Sequence, residues 1–330
     1  MNRRRFAGAL AAASLVVPRR ARAAAAYTLK WAHATQPEHP LAYNAVRVRD
    51  AVRARTGGRL EIELFGNNVL GGDPAMLSQV RAGAIQLYSG YGGAYEGIAP
   101  LAGIEGIGFA FTSQAQALKA FDGPLGALVR RQIDTRELVT FARPWVNGFR
   151  QITTSTKPIV TVGDLAGLRI RTPPSAIWVD LFRALGAAPT PIAASEMYTA
   201  LQTHVVDAQE NPFTIIQTYR LFEVQKYISA TNHMWSNFWV TANAGTFAAL
   251  PSDLQRILRE EVDRMALLQR RDMQLSEASL AEKLSRLGMM VNRVDTVPFR
   301  ARLGDFYAKY RAKYGDEAWG ALEASVGKLG

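Results

Sequence analysis

Arg59-Leu60-Glu61-Ile62-Glu63-Leu64-Phe65, followed by Gly71-Gly72-Asp73-Pro74, decides the fold class. The first segment alternates polar and apolar residues, the period-two pattern of a half-buried strand. The second supplies a turn, an acid at a helix start and a proline at the first helical position, where its missing N–H costs nothing. Ala75 to Ala82 continues that helix, and Ile85 to Ser89 reads as the next strand. Upstream, Tyr27 to His33 reads as a strand. Leu41 to Arg55 reads as a helix with Ala42, Ala45, Val46, Val48 and Val52 partly on one face, ended by Thr56-Gly57-Gly58. Strand, helix, strand, helix, strand predicts an α/β fold with a mainly parallel sheet.

Further along, residues 90–108 hold seven glycines and read as a loop-rich region. Val146 to Thr156 and Leu168 to Thr172 read as strands, Ser175 to Leu185 and Ser195 to Val206 as helices, with a short strand inside Leu185 to Pro191. Pro251-Ser252 opens a late helix in which Ser252 and Gln255 fit a capping box. Leu254, Leu258, Val262, Met265, Leu268, Leu280, Leu284 and Leu287 keep helical spacing, and Gly288 fits a C-terminal cap. Unbroken, residues 252–287 would span roughly 54 Å. The alternatives are one helix crossing two domains, or two helices kinked near residues 270–278.

The chain opens on Asn2-Arg3-Arg4-Arg5-Phe6, then an uncharged run from Ala7 to Pro18, then Arg19-Arg20-Ala21-Arg22 and alanines to Ala26. A basic start, a short apolar run and small residues predict an export signal over residues 1–26, Tat-like or Sec, cut after Ala23 or Ala25. Residues 1–23 carry six arginines and no acid, so the net charge of +11 becomes +11 − 6 = +5 beyond them. That balance suits an anionic ligand, and its interspersed charges exclude a nucleic-acid partner. With no cysteine there is no disulfide, thiolate metal site or cysteine nucleophile. A mature chain of about 305 residues is long enough for two domains.

A small anion calls for arginine, whose planar fork binds both oxygens of a carboxylate. Arg150 stands in Asn147-Gly148-Phe149-Arg150-Gln151, and Arg169 and Arg171 stand in Gly167-Leu168-Arg169-Ile170-Arg171-Thr172-Pro173-Pro174. Alternation puts Arg169 and Arg171 on one strand face and cannot choose between them. Pro173-Pro174 places Arg171 near a strand end, where ligands of open α/β sheets gather. Catalytic readings fail. His33, His39, His204 and His233 are the only histidines and form no HExxH, and no nucleophile elbow or phosphate loop occurs. Glu196 and Glu210 could be paired as acids, but Glu196 falls in a first helical turn, where an acid offsets the dipole. No cofactor and no metal are expected.

Pro191-Ile192-Ala193-Ala194-Ser195-Glu196-Met197-Tyr198-Thr199-Ala200-Leu201-Gln202, followed by Val206-Asp207-Ala208-Gln209-Glu210-Asn211-Pro212, resembles the DctP-type substrate-binding proteins of TRAP transporters. Asn147 to Gln151, Gly167 to Pro174, Thr231-Asn232-His233 and Leu250-Pro251 agree with it in the same order. The resemblance implies a periplasmic-binding-protein-like fold of two α/β domains crossed by one long helix, residues 27–147 plus about 236–276 and residues 148–235 plus about 277–330. It implies a periplasmic, monomeric protein that passes a small organic acid to a small and a large membrane subunit. It also breaks the tie: the carboxylate-binding arginine is at Arg171, with Arg150 and Asn211 lining the same cleft.

Two departures touch the ligand. Ala194 stands where the family commonly has Phe, and Tyr91 falls about where sialic-acid binders carry an acid, which argues against sialic acid. Trp145, Trp178, Trp235, Trp239, Phe213 and Phe238 make the second half rich in rings, so an aromatic or branched acid is an open reading. Trp178 reads as core. Trp235 and Tyr91 are the better candidates for the cleft, because loops beside a cleft carry binding residues. The competing functions are an exported enzyme acting on an organic acid and a ligand-dependent partner of a membrane sensor.

Overall fold

The computed structural model describes residues 25–330; residues 1–24, most of the expected export signal, lie outside the described residues. The chain runs β1 (Tyr27–His33), α1 (Pro40–Arg55), β2 (Leu60–Phe65), α2 (Asp73–Arg81), β3 (Leu87–Tyr91) and α3 (Gly92–Tyr95). A 3-10 helix over Pro100–Gly106 leads to α4 (Gln114–Asp122), α5 (Pro124–Asp134), β4 (Leu138–Thr140) and β5 (Trp145–Thr154). Then follow β6 (Arg169–Thr172), α6 (Ala176–Ala184), β7 (Ala188–Pro191), α7 (Ala194–Gln202), β8 (Ala208–Pro212) and α8 (Phe213–Thr218). The chain closes with β9 (Tyr227–Asn243), α9 (Ala244–Ala249), α10 (Ser252–Arg286), β10 (Met290–Arg293), α11 (Val297–Ala301) and α12 (Gly304–Val326).

Two parallel units, β2-β1-β3 and β7-β6-β8, flank an antiparallel pair, β9 and β5. β9 is the spine. Its C-terminal part pairs with β3 and β4, and its N-terminal part with β10. β5 accompanies it along most of its length, with register breaks between Val146 and Gly148 and between Arg150 and Ile152. Gly148 sits at the first break with φ +114°, a backbone state that residues with a β-carbon avoid. The apolar side chains divide unequally. The large core runs from Leu29 to Leu329, while Met197, Leu201, Ile216, Ile228 and Leu284 gather with a few others in a separate cluster under α7 and α8.

The glycine-rich stretch is not the loop its composition predicts. Tyr95, Leu101, Ile104 and Ile107 are buried within it, and its backbone packs so closely that β-carbons would collide. A β-carbon on Gly106 would lie 2.8 Å from Ile177 and Trp178, and one on Gly92 2.3 Å from the Ala102 carbonyl. The glycines permit close approach of α6, and that approach uses them.

α10 is one unbroken helix of 35 residues, so the kinked alternative is not taken. Gly288, at φ +98°, follows its last turn as expected. The capping box does not form. Pro251 is the flanking residue with no side-chain cap, and the Gln255 amide turns back to donate to the Leu250 carbonyl (2.8 Å). α10 is tied to α1 through Arg47–Asp272 and Arg55–Glu261. It is tied to β5 where the register slips: the Gln269 amide accepts from Val146 N–H and donates to Val146 O (2.8 and 2.7 Å). α12 packs on α4, α5 and α6, with Gln116 donating to Ser325 O and Lys309 reaching Asp180.

Farther along α10, the Glu277 carboxyl accepts from the Thr214 N–H and hydroxyl at the start of α8 (3.2 and 2.5 Å). Burial raises it from the ordinary carboxylate value to about 7, because no cation offsets the loss of water. The folded state therefore holds this proton more tightly than the unfolded chain does, and its contribution to stability is lost as pH rises from about 4.5 to about 7. In urea denaturation between pH 5 and 8, Glu277→Gln, which keeps the acceptor, should show a flatter decline than the native chain. An unchanged pH profile would refute the assignment.

Candidate functional site

The carboxyl ends of both parallel units meet at one cavity enclosing about 480 Å³. Ala34 and Thr35 arrive just after β1, Tyr91 at the end of β3, Arg171 and Pro173 at the end of β6, and Asn211 at the end of β8. Two helix starts, Asp73 of α2 and Ala194 of α7, complete the rim. Such crevices beyond strand carboxyl ends are where α/β sheets bind ligands.

Arg171 is 2% exposed. Its Nε donates to the Ile192 carbonyl at 2.8 Å, which fixes the plane of the guanidinium, and it forms no ion pair with any described residue. Its two terminal nitrogens have no hydrogen-bond acceptor among the described residues. Burial draws its pKa down to about 10, so the group stays charged at neutral pH. Arg169, two residues earlier, is 54% exposed at its side chain and pairs with Asp207. Alternation gives both arginines one face, and position along the strand separates a surface ion pair from the cleft.

Arg150 is also buried, 3% exposed, but its charge is answered. Nε and Nη2 hold the two oxygens of Glu210 at 2.5 and 2.9 Å, and Nη2 also donates to the Asn211 side-chain oxygen at 2.9 Å. The His233 ring adds a bond from Nε2 to Glu210 (3.1 Å), while Nδ1 faces the Thr231 hydroxyl (2.8 Å). With Glu210 ionised, this pairing places the proton on Nε2 of a neutral ring. Burial alone would raise Glu210, but the Arg150 charge and these hydrogen bonds outweigh it and hold the carboxyl below its ordinary value. Asn211 is bonded on both sides, its amide donating to Gln209 at 2.6 Å. It lines the cavity, and its bonds fix Arg150.

Tyr91 lines the cavity between the two arginines and donates to the Pro174 carbonyl (3.3 Å). Trp235 does not line it. The residue lies within β9, not in a loop, and is 1% exposed, stacked on Phe121 with ring centroids 5.5 Å apart. Both faces of β9 are covered, so its rings enter the core whichever way they point. Trp145, Trp178 and Trp239 are likewise buried outside the cavity, and Phe238 alone of the expected second-half rings reaches it. Trp178 acts behind the site, with the Arg150 guanidinium 5.8 Å from its ring and Tyr91 edge-on at 5.6 Å.

Sequence reading missed part of the wall. Asp73 reads there as a helix cap, yet it lines the cavity and accepts from the Tyr88 hydroxyl at 2.6 Å. Asn147 reads only as a neighbour of Arg150. Its buried side-chain oxygen has no hydrogen-bond partner and the residue lines the cavity. Tyr219 of the segment after α8 also lines it and donates across to the Ala34 carbonyl (2.5 Å). No signal in the sequence brings Tyr219 there. No group of three or more His, Asp or Glu among the described residues could hold a metal ion. Trp235→Ala should lower stability by about 3–5 kcal/mol in denaturant titration. Ligand affinity under folding conditions should stay within about threefold; a larger loss would return Trp235 to the site.

The chain was compared with known proteins. Residues 31–313 match the family model described as bacterial extracellular solute-binding protein, family 7. The 2,3-diketo-L-gulonate-binding periplasmic protein YiaO of Escherichia coli is 30% identical over 282 residues, 85% of this chain and 86% of that protein. Uncharacterized protein y4mM of Sinorhizobium fredii is 35% identical over 260 residues, 78% of this chain but only 48% of that longer protein. Among solved structures, a TRAP periplasmic solute-binding protein from Polaromonas bound to D-erythronate superposes with a TM-score of 0.87 at 28% identity, covering 90% of this chain and 98% of that one. The unpartnered arginine in a cleft between two parallel units and the match over nearly the whole described chain agree: the protein belongs to the DctP family of bacterial extracellular solute-binding proteins.

Proposed function

We propose that this protein captures a small hydroxylated carboxylate and delivers it to the small and large membrane subunits of a TRAP transporter. The family comprises solute-binding proteins, not enzymes, and its members act outside the cytoplasmic membrane. The observation that carries the reading is Arg171, a buried guanidinium whose plane is fixed and whose terminal nitrogens face the cavity with no protein acceptor. A carboxylate accepting both of these donors would complete a bidentate pair out of water, where the attraction is strongest.

The rest of the wall supports hydroxyl groups on that ligand. Asp73 offers an acceptor beyond its bond to Tyr88, and the Asn147 oxygen lacks a donor. A ligand without hydroxyls would leave these buried groups unpaired, at about 1–3 kcal/mol each. The apolar side chains of Met197, Ile215 and Phe238 would take its carbon skeleton. The cavity is small and partly open to solvent, so a compact ligand, of about four to six carbons, is the one proposed. Relatives named for 2,3-diketo-L-gulonate and D-erythronate agree with that size and polarity. With the tryptophans buried elsewhere, an aromatic ligand loses its support.

In this reading the lobes, residues 27–147 with about 236–276 and residues 148–235 with about 277–330, close over the ligand by bending at the β5 and β9 register breaks. The protein acts as a monomer in the periplasm, exported by a Tat-like or Sec signal.

A thermal-shift panel of carboxylates tests the proposal. Hydroxylated monocarboxylates of about four to six carbons at 100 times Kd should stabilise the protein by about 2.7 kcal/mol. Short unsubstituted acids and neutral sugars should do less. Stabilisation by neutral sugars alone would overturn it. Arg171→Lys replaces the fork with a point charge and should weaken binding roughly 10- to 100-fold by calorimetry.

A further inference from the structure

A second cavity, of about 750 Å³, lies against β9 and shares no lining residue with the first. Strand alternation puts Phe149, which lines it, on the sheet face opposite Arg150. Its apolar floor is Phe109, Phe111 and Phe149, and its rim carries Val297, Asn232 and Arg300. Phe109 and Phe111 are buried beneath the opening, whereas Val297 is 73% exposed at its edge.

Two features set this cavity apart from a chance hollow. First, no acid among the described residues pairs with Arg300, which donates only to the Lys328 carbonyl (3.2 Å) and lies beside the Tyr307 hydroxyl. Asp295, five residues before it, uses its carboxylate on the Val297 N–H at the start of α11. Second, two lining residues with side chains hold left-handed backbones, Phe109 of the floor at φ 53° and Asn232 of the rim at φ 43°. A bulky residue in that state is uncommon, and such strain gathers at functional positions. Both are locked. Phe109 N–H donates to the His233 carbonyl (2.7 Å), and Asn232 exchanges two bonds with the Gln151 amide (2.6 and 3.0 Å). The strained backbone turns the Phe109 ring into the floor and keeps Asn232 at the rim.

We propose that this cavity is a second binding site, for an amphipathic monocarboxylate bearing a ring. Phe109, Phe111 and Phe149 take the flat apolar body by ring contact, and Arg300 takes the carboxylate. This chemistry is opposite to that of the cleft, whose wall offers polar groups to hydroxyls.

The test is a titration of the purified protein with 4-fluorobenzoate, followed by fluorine NMR. The native chain should show saturable binding below about 10 mM. Arg171→Lys, which disables the cleft, should leave it intact. Arg300→Gln should weaken it at least about tenfold. Val297→Glu, at an exposed position one helical turn before Arg300, should do the same by supplying a competing carboxylate without touching the core. Absence of saturable binding, loss in Arg171→Lys, or native affinity in both Arg300→Gln and Val297→Glu would each overturn the proposal.

Discussion

Two guanidinium groups are buried in one cleft, and only one of them has a carboxylate. Arg150 is neutralised by Glu210 through two bonds, and Glu210 is held in turn by His233. Arg171 has a carbonyl and no acid. An arginine does not escape burial by losing its proton, since even a value near 10 leaves it charged at neutral pH. Glu210 and Asp73 offset part of the cost of that burial through space, and an anion paired with the fork would offset more. The division of labour between the two arginines rests on Glu210: without it, two like charges would stand in one cavity and Arg150 would lose the carboxylate that orients it.

The sheet explains how both charges reach one point. β9 pairs with β3 of one parallel unit and β5 with β8 of the other, so the antiparallel β9–β5 pair joins the two units in one sheet and their strand ends converge. The register breaks in β5 flank Gly148 to Arg150, and Gln269 from α10 bonds the main chain at Val146, just before that segment. The same place is thus both the weakest part of the ladder and a point braced by the long helix. Trp178 adds a brace from the other side. It reaches Arg150 because Gly93 and Gly106 have no β-carbon to keep it away. Glycines that look like loop punctuation therefore help position Arg150, which lies beyond α4 and α5 in sequence.

The parallel βα units and the long helix were legible in the sequence, because each leaves a local mark, alternation or periodic leucines; that Arg150, Arg171 and Asn211 share one neighbourhood was readable only from the family resemblance, since alternation left Arg169 and Arg171 tied. What stayed hidden was set by partners far along the chain. Nothing near Arg169 announces that Asp207 will pair with it at the surface. Asp73 has every sign of a helix cap, and only the fold shows that this helix start faces the cavity. Trp235 looked like a loop residue beside a cleft because β9 is continuous across a left-handed residue, Asn232, which breaks the strand pattern without ending the strand.

The tryptophans matter for selectivity by being absent from the wall. A cleft lined by indole rings would favour flat apolar acids and tolerate polar ones poorly. Here Trp178 lies behind Arg150, and the wall presents Asp73, the unpartnered Asn147 oxygen and Thr35 beside a few apolar side chains. Discrimination of this kind is asymmetric. An additional methylene changes affinity modestly, whereas a missing hydroxyl strands a buried polar group and costs far more. Ala194, where a ring is common in the family, adds space at the start of α7, and enlarging such a wall changes which size is accepted more readily than which polarity. On the proposed function, the arginine would select the class of solute, and the polar groups lining the same cavity would decide among its members.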